Sequence, residues 1–149
     1  MSNYEIRTHY LLYSFFRNSH LDTQKEISKG NEASKLEMFV PAKAYIQGMA
    51  FESNEDCAMI LDHSIIGLAQ KGLLSSNYRC GSKNHVIKGY SKADSDGIVV
   101  VPTPLGAQMF LYVHGYGKIQ SNKFCSSELN IQPIGDITLS ETPRATRGG

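Results

Sequence analysis

The stretch that decides the fold is DGIVVVPTPLGAQMFLYVHG, residues 96–115, in which a valine-rich run meets two prolines and a second apolar run follows. Residues 97–101 are typical of a β-strand, and Pro102 ends that strand because proline has no amide hydrogen to donate to a ladder. Thr103 is predicted to cap a helix that begins at Pro104. The apolar face of this helix holds Leu105, Met109, Tyr112 and Val113. The segment therefore predicts the return strand of a β-hairpin followed directly by a helix.

The partner strand of this hairpin is predicted at HVIKGY, residues 85–90. This run is rich in β-prone residues, and the following SKADSDG, residues 91–97, has the aspartates and glycine of a tight connection. Together these two strands form the predicted hairpin.

The clearest helical pattern lies in SNEDCAMILDHSIIGLAQKGLL, residues 53–74. Apolar residues recur there at intervals of three and four, which predicts a helix over residues 54–71. Ser53 or Asn54 is expected to cap it, with Glu55 and Asp56 in its first turn. Gly72 is expected to end it in the left-handed conformation. A shorter helix is predicted over residues 42–49, opened by Pro41.

The N-terminal stretch allows a helix or a strand. Ser2 and Glu5 have the spacing of a capping box, which favours a helix, while alternating aromatic residues would also suit a strand. Residues 20–35 are polar and are predicted to be a connector, and residues 118–149 an irregular extension with a mobile tail. The expected fold class is α+β, one compact domain in three parts: 1–35, a core at 36–117, and 118–149.

Composition narrows the class of protein. The 149 residues are 41% hydrophobic and 19% charged, with a formal net charge of +1, which is typical of one globular domain. Three widely spaced cysteines suit reduced thiols and a cytoplasmic location better than disulfides, and no apolar run approaches the ~20 residues of a membrane span. The sequence places no nucleophile beside a base at a spacing that would bring the two together. Cys80, His85, His114 and Cys125 lack the pairs of ligands two to four residues apart that are usual in zinc sites. We expect a non-catalytic protein without cofactor or metal.

A helix ending in LAQKGLL, a polar hairpin, a β-run and a helix opened by PTPLG together resemble the second half of winged helix-turn-helix domains. The likeness covers residues 42–115 and includes Leu68, Gly72, Leu73, Thr103 and Gly106. It implies a winged-helix-like core at 36–117, with the β-hairpin as its wing. It implies a small regulator that binds double-stranded DNA, with residues 54–71 entering the major groove. The side chains expected nearest the bases are His63, Ser64 and Gln70.

Charge divides the candidate interface. The predicted wing carries the basic residues expected to contact phosphate, Arg79, Lys83, Lys88 and Lys92. Lysines also protect an exposed strand edge from aggregation, which is the plainer interpretation. Between residues 52 and 72, by contrast, four acids face one base, for a local charge of −3, and such a surface repels phosphate. The alternative function is a protein-interaction module or inhibitor that presents Glu52, Glu55, Asp56 and Asp62 to a basic protein partner.

Aromatic residues crowd the first segment at Tyr10, Tyr13, Phe15 and Phe16. Aromatic side chains are enriched in interface cores, so a homodimer through this segment is one hypothesis. The other is that these rings pack against the chain's own later helices.

Overall fold

Five α-helices and one three-stranded antiparallel sheet form an α+β fold in the computed structural model, which describes residues 1–22, 27, 33–87, 95–119 and 121–131. In chain order the elements are α1 (Asn3–Ser19), a 3-10 turn (Ser34–Leu36), β1 (Met38–Pro41), α2 (Ala42–Met49), α3 (Cys57–Gln70), β2 (Arg79–Gly81), α4 (Lys83–Val86), β3 (Gly97–Val100), α5 (Pro104–Val113) and a second 3-10 turn (Ser121–Lys123).

The N-terminal segment is a helix, and its capping box is present. The Ser2 side chain accepts a hydrogen bond from the Glu5 amide at 3.1 Å, and the Glu5 carboxylate accepts one from the Ser2 amide at 3.0 Å. Tyr13, Phe15 and Phe16 are all buried in the core of the same chain. These three rings therefore have no free surface to offer a second molecule.

The strand at the centre of the fold is β3. It pairs antiparallel with β1, with Met38 opposite Val100, and with β2, with Cys80 opposite Ile98, so the sheet order is β1-β3-β2. The strand predicted from the valine run is confirmed, but it is a central strand with two neighbours rather than the return strand of an isolated hairpin. The strand β1, which the sequence analysis did not predict, supplies the second neighbour.

The predicted first strand of the wing is wrong. Residues 85 and 86 belong to the short helix α4, and residues 88–90 lie outside the described part of the chain. The strand that pairs with β3 is β2, a few residues earlier. Val86 packs with Phe39 and Val99 on the outer face of the sheet, so a residue with high β propensity is buried by a helix that lies against the sheet instead of by strand pairing.

The helix pair α2 and α3 forms largely as predicted. Helix α2 has the predicted bounds, and Gly72 has a φ of +73° just after α3. Helix α3 begins later than predicted, because the Asp56 side chain accepts the Met59 amide at 3.1 Å and caps the helix. Glu55 and Asp56 therefore precede the first turn instead of lying in it.

The helix after the prolines is confirmed. Thr103 caps α5 by accepting the Gly106 amide at 3.0 Å, and Pro104 is its first residue. Gly106 lies where the first turn of α5 meets α1. A Cβ at this position would stand 1.8 Å from Tyr13 Oη and 2.4 Å from the Leu73 carbonyl oxygen, so only glycine lets the two helices approach this closely.

The segment after α5 contributes to the core. Phe124 is fully buried, and Arg17 of α1 holds the backbone around it. The buried Arg17 guanidinium donates hydrogen bonds to the carbonyl oxygens of Phe124 at 2.6 Å, Ser126 at 2.9 Å and Leu129 at 3.1 Å. The backbone around residues 124–129 is thus fastened to α1, and residues 120 and 132–149 of the predicted extension lie outside the described residues.

Candidate functional site

Helix α3 has one face in the core and one in solvent. Leu61, Ser64, Ile65 and Leu68 are buried, and the carboxylate of Glu5 from α1 lies close to Gly67, where an added Cβ would make it shift. The exposed face is formed by Ala58, Met59, Asp62, His63, Ile66 and Gln70. This set contains two large apolar side chains and one acid, and it has no lysine or arginine.

Of the three residues expected nearest the bases, two are on this exposed face. His63 and Gln70 are solvent-accessible. Ser64 is only 2% exposed and lies beside the hydroxyl of Tyr45 in the core, so its predicted contact with a base edge is wrong. The period of the helix explains the difference, because adjacent positions 63 and 64 lie about 100° apart around the axis.

The one basic residue at the end of α3 is already paired. Lys71 Nζ lies 2.8 Å from Glu5 Oε2, in a contact that joins α3 to the start of α1. The hydrogen bond from Lys71, with those from Ser2, lowers the pKa of Glu5 to about 2. The carboxylate therefore stays charged at neutral pH, and it reduces the positive charge that Lys71 can offer to an external phosphate.

Three of the four acids of the alternative interface have local roles as well as charge. Asp56 caps α3, and the Glu55 carboxylate accepts hydrogen bonds from the Glu52 amide at 2.8 Å and from the Tyr4 hydroxyl. These bonds, with the Glu52 amide the largest cause, lower the pKa of Glu55. Asp62 accepts a hydrogen bond from the Cys80 thiol at 3.2 Å. The charges remain on the surface, but three of the four carboxylates also stabilise the turn into α3 or its contact with β2.

Two of the four predicted wing residues, Arg79 and Lys83, lie within the described residues. Arg79 and Cys80 are adjacent in β2 and point to opposite faces. Arg79 is half-buried and lines a polar cleft of about 430 Å³ with Tyr78 and His85. Lys83 is exposed at the start of α4, where its amide donates to the Asp96 carboxylate at 2.7 Å. Lys88 and Lys92 lie outside the described residues.

A second cavity, which we call the α2–α3 groove, lies on the other side of β2. Its volume is about 400 Å³, and its walls come from α2, α3 and the β2–β3 edge of the sheet. Tyr45 and Leu61 are among its apolar lining residues, and Ile46 and Ala58 line it with exposed side chains. Sequence reasoning missed this groove because its walls come from four separate stretches of the chain, 42–46, 57–62, 80–82 and 96–97.

Cys80 occupies one wall of the α2–α3 groove. Burial, reinforced by the hydrogen bond to Asp62 and by the charge of that carboxylate, raises the pKa of the Cys80 thiol to about 12. The thiol is therefore protonated at neutral pH and acts as a donor that orients Asp62. A group with this pKa is a poor nucleophile.

No protein family, curated protein or solved structure matches this chain. Function is therefore inferred from the geometry of the chain itself. In the described ranges, His, Cys, Asp and Glu side chains nowhere converge in a group of three that could hold a metal ion. Of the helices in those ranges, none combines the length and the apolar character needed to cross a bilayer.

The structure brings together parts of the two predicted interfaces. The contact between Asp62 and Cys80 places the middle of α3 against β2, so the exposed face of α3 and the strand pair form neighbouring surfaces. Asp96, which precedes β3, lines the same groove as Asp62. The candidate site is thus a surface that runs from the exposed face of α3 to the β2–β3 edge, with the α2–α3 groove between them.

Proposed function

We propose that this protein is a small DNA-binding regulator that uses a winged helix-turn-helix arrangement. The observation that supports the proposal is the order of elements. Two consecutive helices, α2 and α3, are followed by the antiparallel pair β2 and β3, with the short helix α4 between the two strands, and the sheet is completed by β1 from before the helix pair. In helix-turn-helix proteins the second helix of such a pair enters the major groove.

The exposed face of α3 is the part proposed to read bases. His63 and Gln70 supply side chains that can hydrogen-bond base edges, and Met59 and Ile66 offer apolar surface suited to thymine methyl groups. Phosphate contacts are proposed for Lys83 and Arg79, with Lys88 and Lys92 as further candidates. Because the α3 face itself has no free lysine or arginine, few phosphates are neutralised and affinity is expected to be modest.

The experiment is fluorescence anisotropy with a random 20-base-pair duplex between 20 and 200 mM salt. Each phosphate contact contributes about −0.9 to the slope of log affinity against log salt. Lys83→Ala is expected to reduce the slope by about one contact, while Lys118→Ala, which removes an exposed lysine after α5, should leave it unchanged. His63→Ala should weaken a selected sequence more than the random duplex. Absence of binding at 20 mM salt rejects the proposal.

A second candidate is a protein-interaction module for a basic partner. The observation in its favour is that the exposed face of α3 is apolar and acidic, with Met59 56% exposed and Lys71 paired to Glu5. Apolar side chains ringed by acids suit a protein surface of opposite charge. The Asp56→Lys and Asp62→Lys double variant should then abolish capture of the basic partner, and an unchanged capture rejects this candidate.

We further propose that the protein forms a homodimer through α5. Tyr112 is 72% exposed, Leu105 57% and Val113 52%, and they recur along one helix at helical spacing. Residues 97–117 include no Asp, Glu, Lys or Arg, and depletion of charge is the signature of an interface core. A second copy of the same face is the partner whose chemistry matches it, because two uncharged surfaces meet without leaving a buried charge.

Sedimentation equilibrium tests the dimer. The expected mass is twice the 16.5 kDa of the chain, and the Tyr112→Lys variant should sediment as a monomer. Ile87→Lys, which changes an exposed apolar side chain after α4, is the matched control and should remain dimeric. A monomeric wild-type protein at 100 µM rejects this proposal.

A further inference from the structure

We propose that the α2–α3 groove binds a small organic cation with an apolar body. This site goes beyond the proposed DNA contacts, and its occupancy can be measured without any nucleic acid. Shape, lining and charge each support it.

The shape of the groove suits a small molecule. Its volume of about 400 Å³ falls within the ~300–1,000 Å³ that is usual for ligand pockets. Tyr45 and Leu61, which are buried, contribute to the apolar lining, and Ile46 lines it with a side chain that is 44% exposed. An apolar ligand body would shield Ile46 from water, which favours binding by the hydrophobic effect.

The charge of the groove selects a cation. Asp62 on α3 and Asp96 before β3 are both lining residues, and the lining includes no lysine, arginine or histidine. One oxygen of each carboxylate is engaged, Asp62 Oδ1 by the Cys80 thiol and Asp96 Oδ1 by the Lys83 amide. Among the described residues, their second oxygens accept no hydrogen bond, so both carboxylates can meet a ligand cation.

The groove is organised before a ligand arrives. The Cys80 thiol keeps its proton at neutral pH and orients the Asp62 carboxylate. The Lys83 amide, at the start of α4, does the same for Asp96. Carboxylates that are already positioned need less reordering on binding, so more of their attraction for the cation contributes to affinity.

The position of the groove would also allow its ligand to change the affinity of the protein for DNA. The ligand would contact α3 and the β2–β3 edge at once, and these elements carry the surfaces proposed to meet DNA. Binding is expected to change DNA affinity only if it favours one arrangement of these two elements. This coupling depends on the proposed function, whereas binding itself does not.

The test uses two xanthene dyes of opposite charge as probes. Rhodamine 6G is a rigid lipophilic cation, and fluorescein shares its ring system but is anionic. Fluorescence anisotropy without DNA should show saturable binding of rhodamine 6G and at least tenfold weaker binding of fluorescein. Equal binding of the two dyes, or no saturation by rhodamine 6G at 100 µM protein, overturns the proposal.

Variants of the lining residues test whether the dye binds in the groove. Asp62→Asn and Asp96→Asn keep an oxygen acceptor but remove one charge each, and each should weaken rhodamine 6G at least fivefold. Glu128→Gln removes an exposed carboxylate on the C-terminal segment and should have no effect. Ala58→Phe fills the groove without changing charge and should block the dye. If Glu128→Gln weakens the dye as much as Asp62→Asn, the binding is a general charge effect and the site is rejected.

Alkylation of Cys57 gives a readout that does not depend on the dye signal. Cys57 lines the groove and is partly accessible, whereas Cys125 is buried elsewhere. Saturating rhodamine 6G should slow N-ethylmaleimide labelling of Cys57 at least threefold. Unchanged labelling rejects the assignment, and thermal melts of each variant confirm that the protein is folded. Displacement of the dye by a lysine-rich peptide but not by small lipophilic amines would reassign the groove to a protein partner and overturn the proposal.

Discussion

The hydroxyl of Tyr13 donates a hydrogen bond to the carbonyl oxygen of Leu73 at 2.6 Å, and the two residues are 60 positions apart. The same hydroxyl accepts a hydrogen bond from the Thr103 amide at 3.0 Å. Tyr13 is fully buried, and its burial raises its pKa, so the hydroxyl remains protonated. One side chain of α1 thus forms hydrogen bonds with both the loop after α3 and the start of α5.

Removal of this hydroxyl is expected to destabilise the protein. Tyr13→Phe keeps the ring but leaves a buried carbonyl and a buried amide without their partner, at a cost of about 1–3 kcal/mol in the free energy of unfolding. Urea denaturation followed by circular dichroism measures the change. Ser76→Ala, which also removes a hydroxyl but at an exposed position, should stay within about 0.5 kcal/mol of the wild type; a similar loss in both variants would contradict the role given to Tyr13.

A methyl group at Gly106 is expected to be more damaging. The added Cβ would overlap Tyr13 Oη and the Leu73 carbonyl oxygen, so α1 and α5 must separate. Gly106→Ala should lower the free energy of unfolding by about 3 kcal/mol or more. Gly115→Ala is the matched comparison, because Gly115 has a φ of +84° but open space around it, and its cost should be about 1 kcal/mol. Equal costs would show that packing at Gly106 is unimportant.

Arg17 is expected to control the segment after α5. Arg17→Met keeps much of the buried stem but leaves three backbone carbonyl oxygens without their donor. Trypsin should then cleave at Lys123 at least tenfold faster than in the wild type, since the segment opens locally. Arg7→Met, at an exposed position of the same helix, should leave the rate unchanged. Slow cleavage in both variants would mean that other contacts hold the segment.

His9 is expected to make stability depend on pH. Its Nε2–H donates to the Gly106 carbonyl oxygen at 3.0 Å, and burial lowers its pKa. The unfolded chain binds a proton near pH 6.5 while the folded chain does not, so stability falls as the pH drops from 7.5 through 6.5 toward the folded pKa. His9→Gln keeps a donor and should lose less stability over this range. His63→Gln, on the exposed face of α3, should follow the wild-type curve; if the His9 variant follows it too, the buried neutral imidazole is refuted.

The hydrogen bond between Cys80 and Asp62 predicts a change in thiol reactivity. Asp62→Asn removes the negative charge that helps to raise the pKa of Cys80 above its ordinary value. The pH at which Cys80 reacts half-maximally with iodoacetamide should therefore move down from about 12, although burial keeps it above the range of a free thiol. Mass spectrometry of the labelled peptide measures the rate. An unchanged profile would show that burial alone sets the pKa.

Rules that relate residues within one helical turn correctly predicted the helices whose caps and terminal glycines lie close together in the sequence. The capping box of α1, Thr103 and Pro104 at the start of α5 and Gly72 after α3 are each fixed by bonds or dihedral angles inside one turn. The start of α3 was misplaced by only a few residues, because Asp56, Ser53 and Asn54 can all cap a helix and the sequence does not show which of them does.

The pairing of the strands and the make-up of the candidate site depend on contacts between residues far apart in the sequence, which such rules do not describe. Val86 lies in a helix because Phe39 and Val99 cover it, and β1 is a strand because β3 offers both of its edges. Ser64 is buried and its neighbour His63 is exposed because the helix directs the two side chains to different sides. The α2–α3 groove needs Ile46, Asp62 and Asp96 from three segments, and no spacing in the sequence relates them.

The contacts of Arg17 also set the order in which this chain can be assembled on a ribosome. Its carbonyl partners lie 107 to 112 positions downstream, so α1 must wait until residues 124–129 have been translated before these hydrogen bonds can form. Until Phe124 is translated, Tyr13 lacks one of the rings that cover it in the folded chain, and apolar surface that is exposed on a nascent chain recruits chaperones. Helix α1 therefore reaches its final packing long after its own synthesis.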